Sequence, residues 1–156
     1  MSNTARLRAL GLTLPPVPAP AAAYAPAVRH GDLVLVSGQL PVVDGVLLGT
    51  GRVGNGPDEH RVEEAVEFAR ACALNVLAAA AGVAGGLDAI TAVLRVGVFV
   101  ASADDLTVQH VVADGASALF AGVLGADGVH ARAAVGVTRL PLDAPVEVEA
   151  MLGVAA

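Results

Sequence analysis

The chain has 156 residues, 15 acidic and 9 basic side chains and a formal net charge of -6 at pH 7, a size that suits one domain around a single core. Its acidity, with no Trp, one Tyr and three Phe, excludes the basic footprint and stacking platforms by which proteins hold nucleic acid. All nine basic residues are arginine, which also excludes a Schiff-base lysine and a P-loop lysine.

The first 20 residues, rich in Pro and Ala from Leu14 onward, read as an arm ahead of a single domain over 21–156, and they offer no apolar core of a signal peptide. Tyr24–Val28 and Leu33–Val36 are short apolar runs around Arg29-His30-Gly31-Asp32, a strand, turn and strand ended by Ser37-Gly38-Gln39. Asp44-Gly45 is a hairpin signal. Gly49–Gly56 reads as a loop, and Pro57-Asp58 suits a helix opening. Val62, Ala65, Val66, Ala69, Cys72, Ala73, Val76, Leu77 and Ala80 share one helical stripe, with Gly82 as the expected stop. The longest apolar run here, Leu74–Val83, is broken by Asn75 and falls short of the roughly 20 residues a membrane span needs, so no transmembrane helix is expected.

Thr91–Val100 reads as a strand apolar on both faces, which must be covered on both sides. A second helix is predicted from the capping residues around Ser102-Ala103-Asp104-Asp105 to Gly125, with Gly115 inside it. Ala131–Val137 and Val146–Leu152 are predicted strands. The order gives an α+β layer, a mixed sheet with two helices packed on one face, and the apolar second face predicts burial against other subunits.

Several motifs have plain readings. Gly49-Thr50-Gly51-Arg52-Val53-Gly54 fits a dinucleotide fingerprint, but Asn55-Gly56-Pro57 separate it from any helix, so a flexible loop is the expectation. His30, His60, His110 and His130 lack paired ligand spacing, so no metal is expected; His130, two residues before Arg132, reads as a loop histidine at a strand entrance, with pocket lining as the alternative. Cys72, the lone cysteine, falls on the apolar stripe as inert packing and agrees with a reducing, cytoplasmic location.

The last two strands differ. Arg132 is a single charge in a small, apolar strand, and Glu147 and Glu149 share one sheet face about 7 Å apart. Either they form a structural ion pair or a solvated face, or they are an anion clamp beside an acid/base carboxylate.

Tyr24-Ala25-Pro26-Ala27-Val28, Val36-Ser37-Gly38-Gln39-Leu40-Pro41, His130-Ala131-Arg132-Ala133-Ala134-Val135, Leu140-Pro141 and Val146-Glu147-Val148-Glu149-Ala150 together resemble the successive signatures of the RidA/YjgF family over nearly the whole domain. The longer Gly49–Gly56 loop and Ala113-Asp114-Gly115-Ala116-Ser117 resemble a bacterial side branch of it. The resemblance implies a chorismate-mutase-like fold, a homotrimer with sites at subunit interfaces, and cofactor-free hydrolysis of 2-imino acids to 2-keto acids and ammonia. It implies that Arg132 holds the substrate carboxylate, that Glu147 activates water and assists ammonia departure, and that Tyr24 and Ser37 line the pocket. Ala134 stands where better-known members often carry Cys, and Asp104 where Asn is common. A non-catalytic, chaperone-like trimer that binds small carboxylates is the alternative, with ribonuclease activity behind it.

Overall fold

The computed structural model describes residues 1–17 and 23–156. Five strands form one mixed sheet in the order β1-β2-β7-β5-β6: β1 (Ala27–His30), β2 (Leu33–Gln39), β7 (Val146–Val154), β5 (Ile90–Ala101) and β6 (Ala131–Val137). All neighbours run antiparallel except β5 and β6. A parallel pair needs a crossover, and α3 (Gln109–Leu124) supplies it. The two-residue strands β3 (Val42–Val43) and β4 (Val46–Leu47) form a separate hairpin, whose turn residues Asp44 and Gly45 both have positive φ.

Both long helices lie on the same sheet face, α2 (Val62–Ala84) over β7 and β2, α3 over β5 and β6. Alternation along the strands turns Val34, Val36, Val96, Val98, Val100, Val146, Val148 and Leu152 toward them, and all are buried. Gly115 lets the helices close up: a Cβ there would collide with the Val66 carbonyl oxygen. The predicted mixed α+β layer is present. By length and composition alone, α2 and the stretch Gln109–Gly128 are apolar enough to cross a membrane, a test that core helices also pass. About half of each is instead buried within the domain.

Three helix boundaries differ from expectation. α2 runs past Gly82, whose helical backbone is tolerated, and stops at Gly85, which takes the left-handed conformation at φ 92. It begins at Val62 rather than Pro57-Asp58, because His60 is held back by backbone bonds with Arg52 and Gly54. α3 begins at Gln109 rather than near Ser102. Ser102 N–H and Ala103 N–H donate to Val137 O and Val53 O at 2.9 Å each, and so extend the strand layer instead of capping a helix.

The N-terminal segment carries a short helix. α1 (Asn3–Ala9) is capped by the Ser2 hydroxyl and buries Leu7, and Asn3 Nδ2 donates to Ile90 O at 2.9 Å. Leu12 and Leu14 also pack on the core. Leu7, Leu12 and Leu14 supply the apolar contacts that the Pro/Ala composition of the segment conceals. The arm's end, 18–20, and the first residues assigned to the domain, 21–22, lie outside the described residues.

The Gly49–Gly56 segment is a loop, as expected, and it is tied to the strand layer at Val53. Val53 is fully buried; its N–H donates to Ala101 O at 2.7 Å and its carbonyl accepts from Ala103.

Candidate active site

Pairing register fixes where the candidate residues point. Glu147 pairs with Phe99 and Glu149 with Gly97 on β5, whereas Arg132 pairs with Val96 from the other side of β5. Paired residues share a face, and positions 96 and 99 lie on opposite faces. Val96 is buried beneath the helices, so Arg132 points to the helix side. Glu147 and Glu149 point to the open side.

Glu147 occupies a prepared space. Between Val36 and Gln39 the β2–β7 register slips by one residue, a bulge at Ser37-Gly38. A Cβ on Gly38 would fall on the Glu147 carboxylate, so the glycine makes room for it. Burial, and then the neighbouring Glu149 carboxylate, raise the Glu147 carboxyl above the ordinary value. Ser37 Oγ–H donates to Ala25 O at 2.8 Å and Ser37 N–H to Pro26 O at 3.0 Å, which fastens the segment carrying Tyr24 beside the bulge. Tyr24 is half exposed. Ser37 and Glu147 thus meet at the bulge, with the backbone segment that follows Tyr24 bonded alongside. Gly38→Ala is expected to displace a flexible side chain rather than backbone, so the thermal midpoint should change little while any activity that depends on Glu147 falls at least tenfold. Thermal melts beside activity measurements check this.

Arg132 is bound to α3 instead. Its Nη1 donates to Asp114 Oδ1 and to Ser117 Oγ at 2.9 Å each, and Nη2 donates to His110 O at 3.1 Å. The three acceptors recur at helical spacing and so form one stripe of α3. The structural ion pair is therefore with Asp114, not with a strand glutamate. Of the five N–H donors of a guanidinium, Nε–H and one on Nη2 meet no acceptor among the described residues. Ser117 Oγ, accepting from Arg132, donates its own hydrogen to His130 Nε2 at 2.9 Å. That network places the proton of neutral His130 on Nδ1, which donates to Gly128 O at 2.7 Å. Ser117, His130 and Arg132 line a pocket of about 290 Å³ with Ala121, Gly128 and Val129. His130 thus takes the alternative reading, that of a pocket-lining residue. The sequence carried a signal for this brace in Asp114 and Ser117, two polar residues one helical turn apart in the mainly apolar middle of α3.

A cavity of about 520 Å³ lies elsewhere, between Leu12–Pro16, the β3–β4 hairpin and α2. Its polar lining includes Glu67, Arg70 and Asn75, and the Asn75 amide already donates to Leu40 O and Val42 O. It contains neither Arg132 nor Glu147. Cys72 is fully buried, its thiol pushed up by burial and then by the Glu147 charge, which makes it a packing residue.

The arrangement defines a mixed α+β domain with a carboxylate seated at a strand bulge and a guanidinium braced on the edge strand. Residues 16–154 match the model of the family described as Endoribonuclease L-PSP, and the chain belongs to this family, the YjgF/RidA family. It is 43% identical over 149 residues to Protein TCP17 of Trypanosoma cruzi, across 95% of this chain and 91% of that one. The structure of Atu1372 from Agrobacterium tumefaciens, of unknown function, is 42% identical with a TM-score of 0.87 over 99% of this chain and 94% of that one. A Shewanella oneidensis protein, provisionally described as an endoribonuclease, is 28% identical with a TM-score of 0.93 over 99% and 100%.

Proposed function

We propose that this protein hydrolyses 2-imino acids to 2-keto acids and ammonia, with a chorismate-mutase-like fold assembled as a homotrimer and without a cofactor. Water adds to the imine carbon, the C–N bond breaks, and oxygen from water replaces nitrogen, which leaves as ammonia. An imine carbon is already electrophilic, so the protein has only to fix the carboxylate, place one water and move a proton. Arg132 serves the first task and Glu147 the other two, with Tyr24 and Ser37 shaping the pocket.

The observation that carries this reading is the division of the site. Arg132 and Glu147 lie on opposite faces of one sheet, so a substrate touching both must bridge two copies. The open face supports such an assembly: Val28, Leu35 and Val135 are each about half exposed there, beside Phe99, an apolar surface of the kind subunits cover. Arg132 also sits on an edge strand, β6, whose outer side pairs with no strand among the described residues.

The test is to add purified protein to 2-iminopropanoate generated in situ and to follow ammonia and pyruvate. Release above the uncatalysed rate is expected; a protein that binds pyruvate without accelerating release would be the small-carboxylate-binding, chaperone-like trimer instead. The family description favours a second reading, RNA cleavage. The net charge of -6 and the Glu147–Glu149 pair on the open face repel a phosphodiester backbone, so that reading has less physical support here.

A further inference from the structure

We propose that Asp114 shares Arg132 with the ligand, acting as an internal carboxylate that weakens capture of substrate carboxylates and discriminates against a second anionic group. The inference rests on the clamp role of Arg132 proposed above. Asp114 Oδ1 already accepts from Nη1 at 2.9 Å, so an incoming carboxylate meets a guanidinium whose charge is offset. With Nη1 committed to Asp114 and Ser117, and one Nη2 hydrogen committed to His110 O, the ligand is left Nε–H and one Nη2–H, enough for one two-pronged carboxylate. Once it binds, one cation lies between two anions. A ligand with a further carboxylate adds a third negative charge, and the groups that brace Arg132 on α3, a carboxylate, a hydroxyl and a backbone carbonyl, offer it no counter-charge. The favoured substrates are therefore monocarboxylates with an uncharged remainder.

Ser117 and His130 act differently. Through their hydrogen bonds they fix where Arg132 points, so they are positioning residues whose loss treats all carboxylates alike.

The experiment is calorimetric titration of the full chain, as parent, Asp114→Asn, Ser117→Ala and Arg132→Ala, with 2-oxobutyrate and with the dicarboxylate 2-oxoglutarate, at low and high salt. Asn keeps an oxygen acceptor for Nη1 while removing the charge. At low salt Asp114→Asn should bind 2-oxobutyrate about 3- to 10-fold more tightly, and should gain about 2- to 5-fold more again for 2-oxoglutarate. Both gains should shrink at high salt. Ser117→Ala should weaken both ligands by a similar factor. If Asp114→Asn weakens both, or leaves their ratio unchanged at low salt while Arg132→Ala abolishes binding, the clamp stands and the role given to Asp114 is wrong. If Arg132→Ala binds both as the parent does, or the parent binds neither, the clamp reading fails and this inference falls with it.

Discussion

Replacing Glu147 by Gln is expected to cut imine hydrolysis by about 10²–10⁴-fold, the usual worth of a positioned acid/base group, while keto-acid binding stays within about twofold of the parent, since Gln keeps the shape and Arg132 the charge. Glu149→Gln is the control. It shares the face but sits over Gly97, away from the bulge at Gly38, and should lose far less. The elevated Glu147 carboxyl adds a pH signature: the acid limb of the rate profile in the parent should be shifted upward from the ordinary glutamate value, and the Gln variant should lack it. A stability signature follows as well. A carboxyl whose folded pKa is raised leaves the native state binding more protons than the unfolded chain, so stability falls as pH rises from the unfolded value through the folded one. Glu147→Gln should therefore melt higher than the parent above that window and show no advantage below it.

The second large effect concerns Arg132. Arg132→Ala is expected to abolish detectable binding of pyruvate or 2-oxobutyrate, a loss on the order of 10²-fold, because a two-pronged charged contact has no replacement in the pocket. Arg132→Lys keeps the charge but loses the planar fork and its contact with Ser117, so it should fall between the two. The trimer should survive both changes, since the guanidinium is spent on α3 of its own chain. Titration beside light scattering separates these outcomes: about three times the 15.4 kDa chain mass, with binding lost, is the expected result. Unchanged affinity in Arg132→Ala would remove the clamp.

Much of the fold was legible because the signals are local. The period-two runs at Leu33–Val36 and Val146–Leu152 and the stripe from Val62 to Ala80 each set one buried face. The helix ends were less legible, since which of two nearby glycines takes a positive φ, and whether Ser102 caps a helix or extends a strand, depends on partners distant in sequence. Glu147 was found from its strand pattern and the family motif together, whereas its seat at Gly38 is a relation between β2 and β7 that only the register exposes. Arg132 stands out in the sequence as a charge needing a partner, but the strand pattern leaves open whether that is a strand glutamate, solvent or a bound anion. Asp114 sits on the crossover helix, 18 positions away, and no local pattern links the two. The opposed faces of Arg132 and Glu147 follow from pairing both strands with β5, a pairing not specified by spacing in the sequence.

The division of the site between copies is the central claim, and complementation tests it most directly. Arg132→Ala and Glu147→Gln are each inactive by this account, yet each retains the group that the other lacks. Unfolded together and refolded as mixed trimers, they should regain ammonia release from 2-iminopropanoate to about one quarter of the parental rate, the share of interfaces that join an intact Arg132 to an intact Glu147 under random assembly. Mixed trimers as inactive as the separate variants would contradict a site built from Arg132 of one copy and Glu147 of the next.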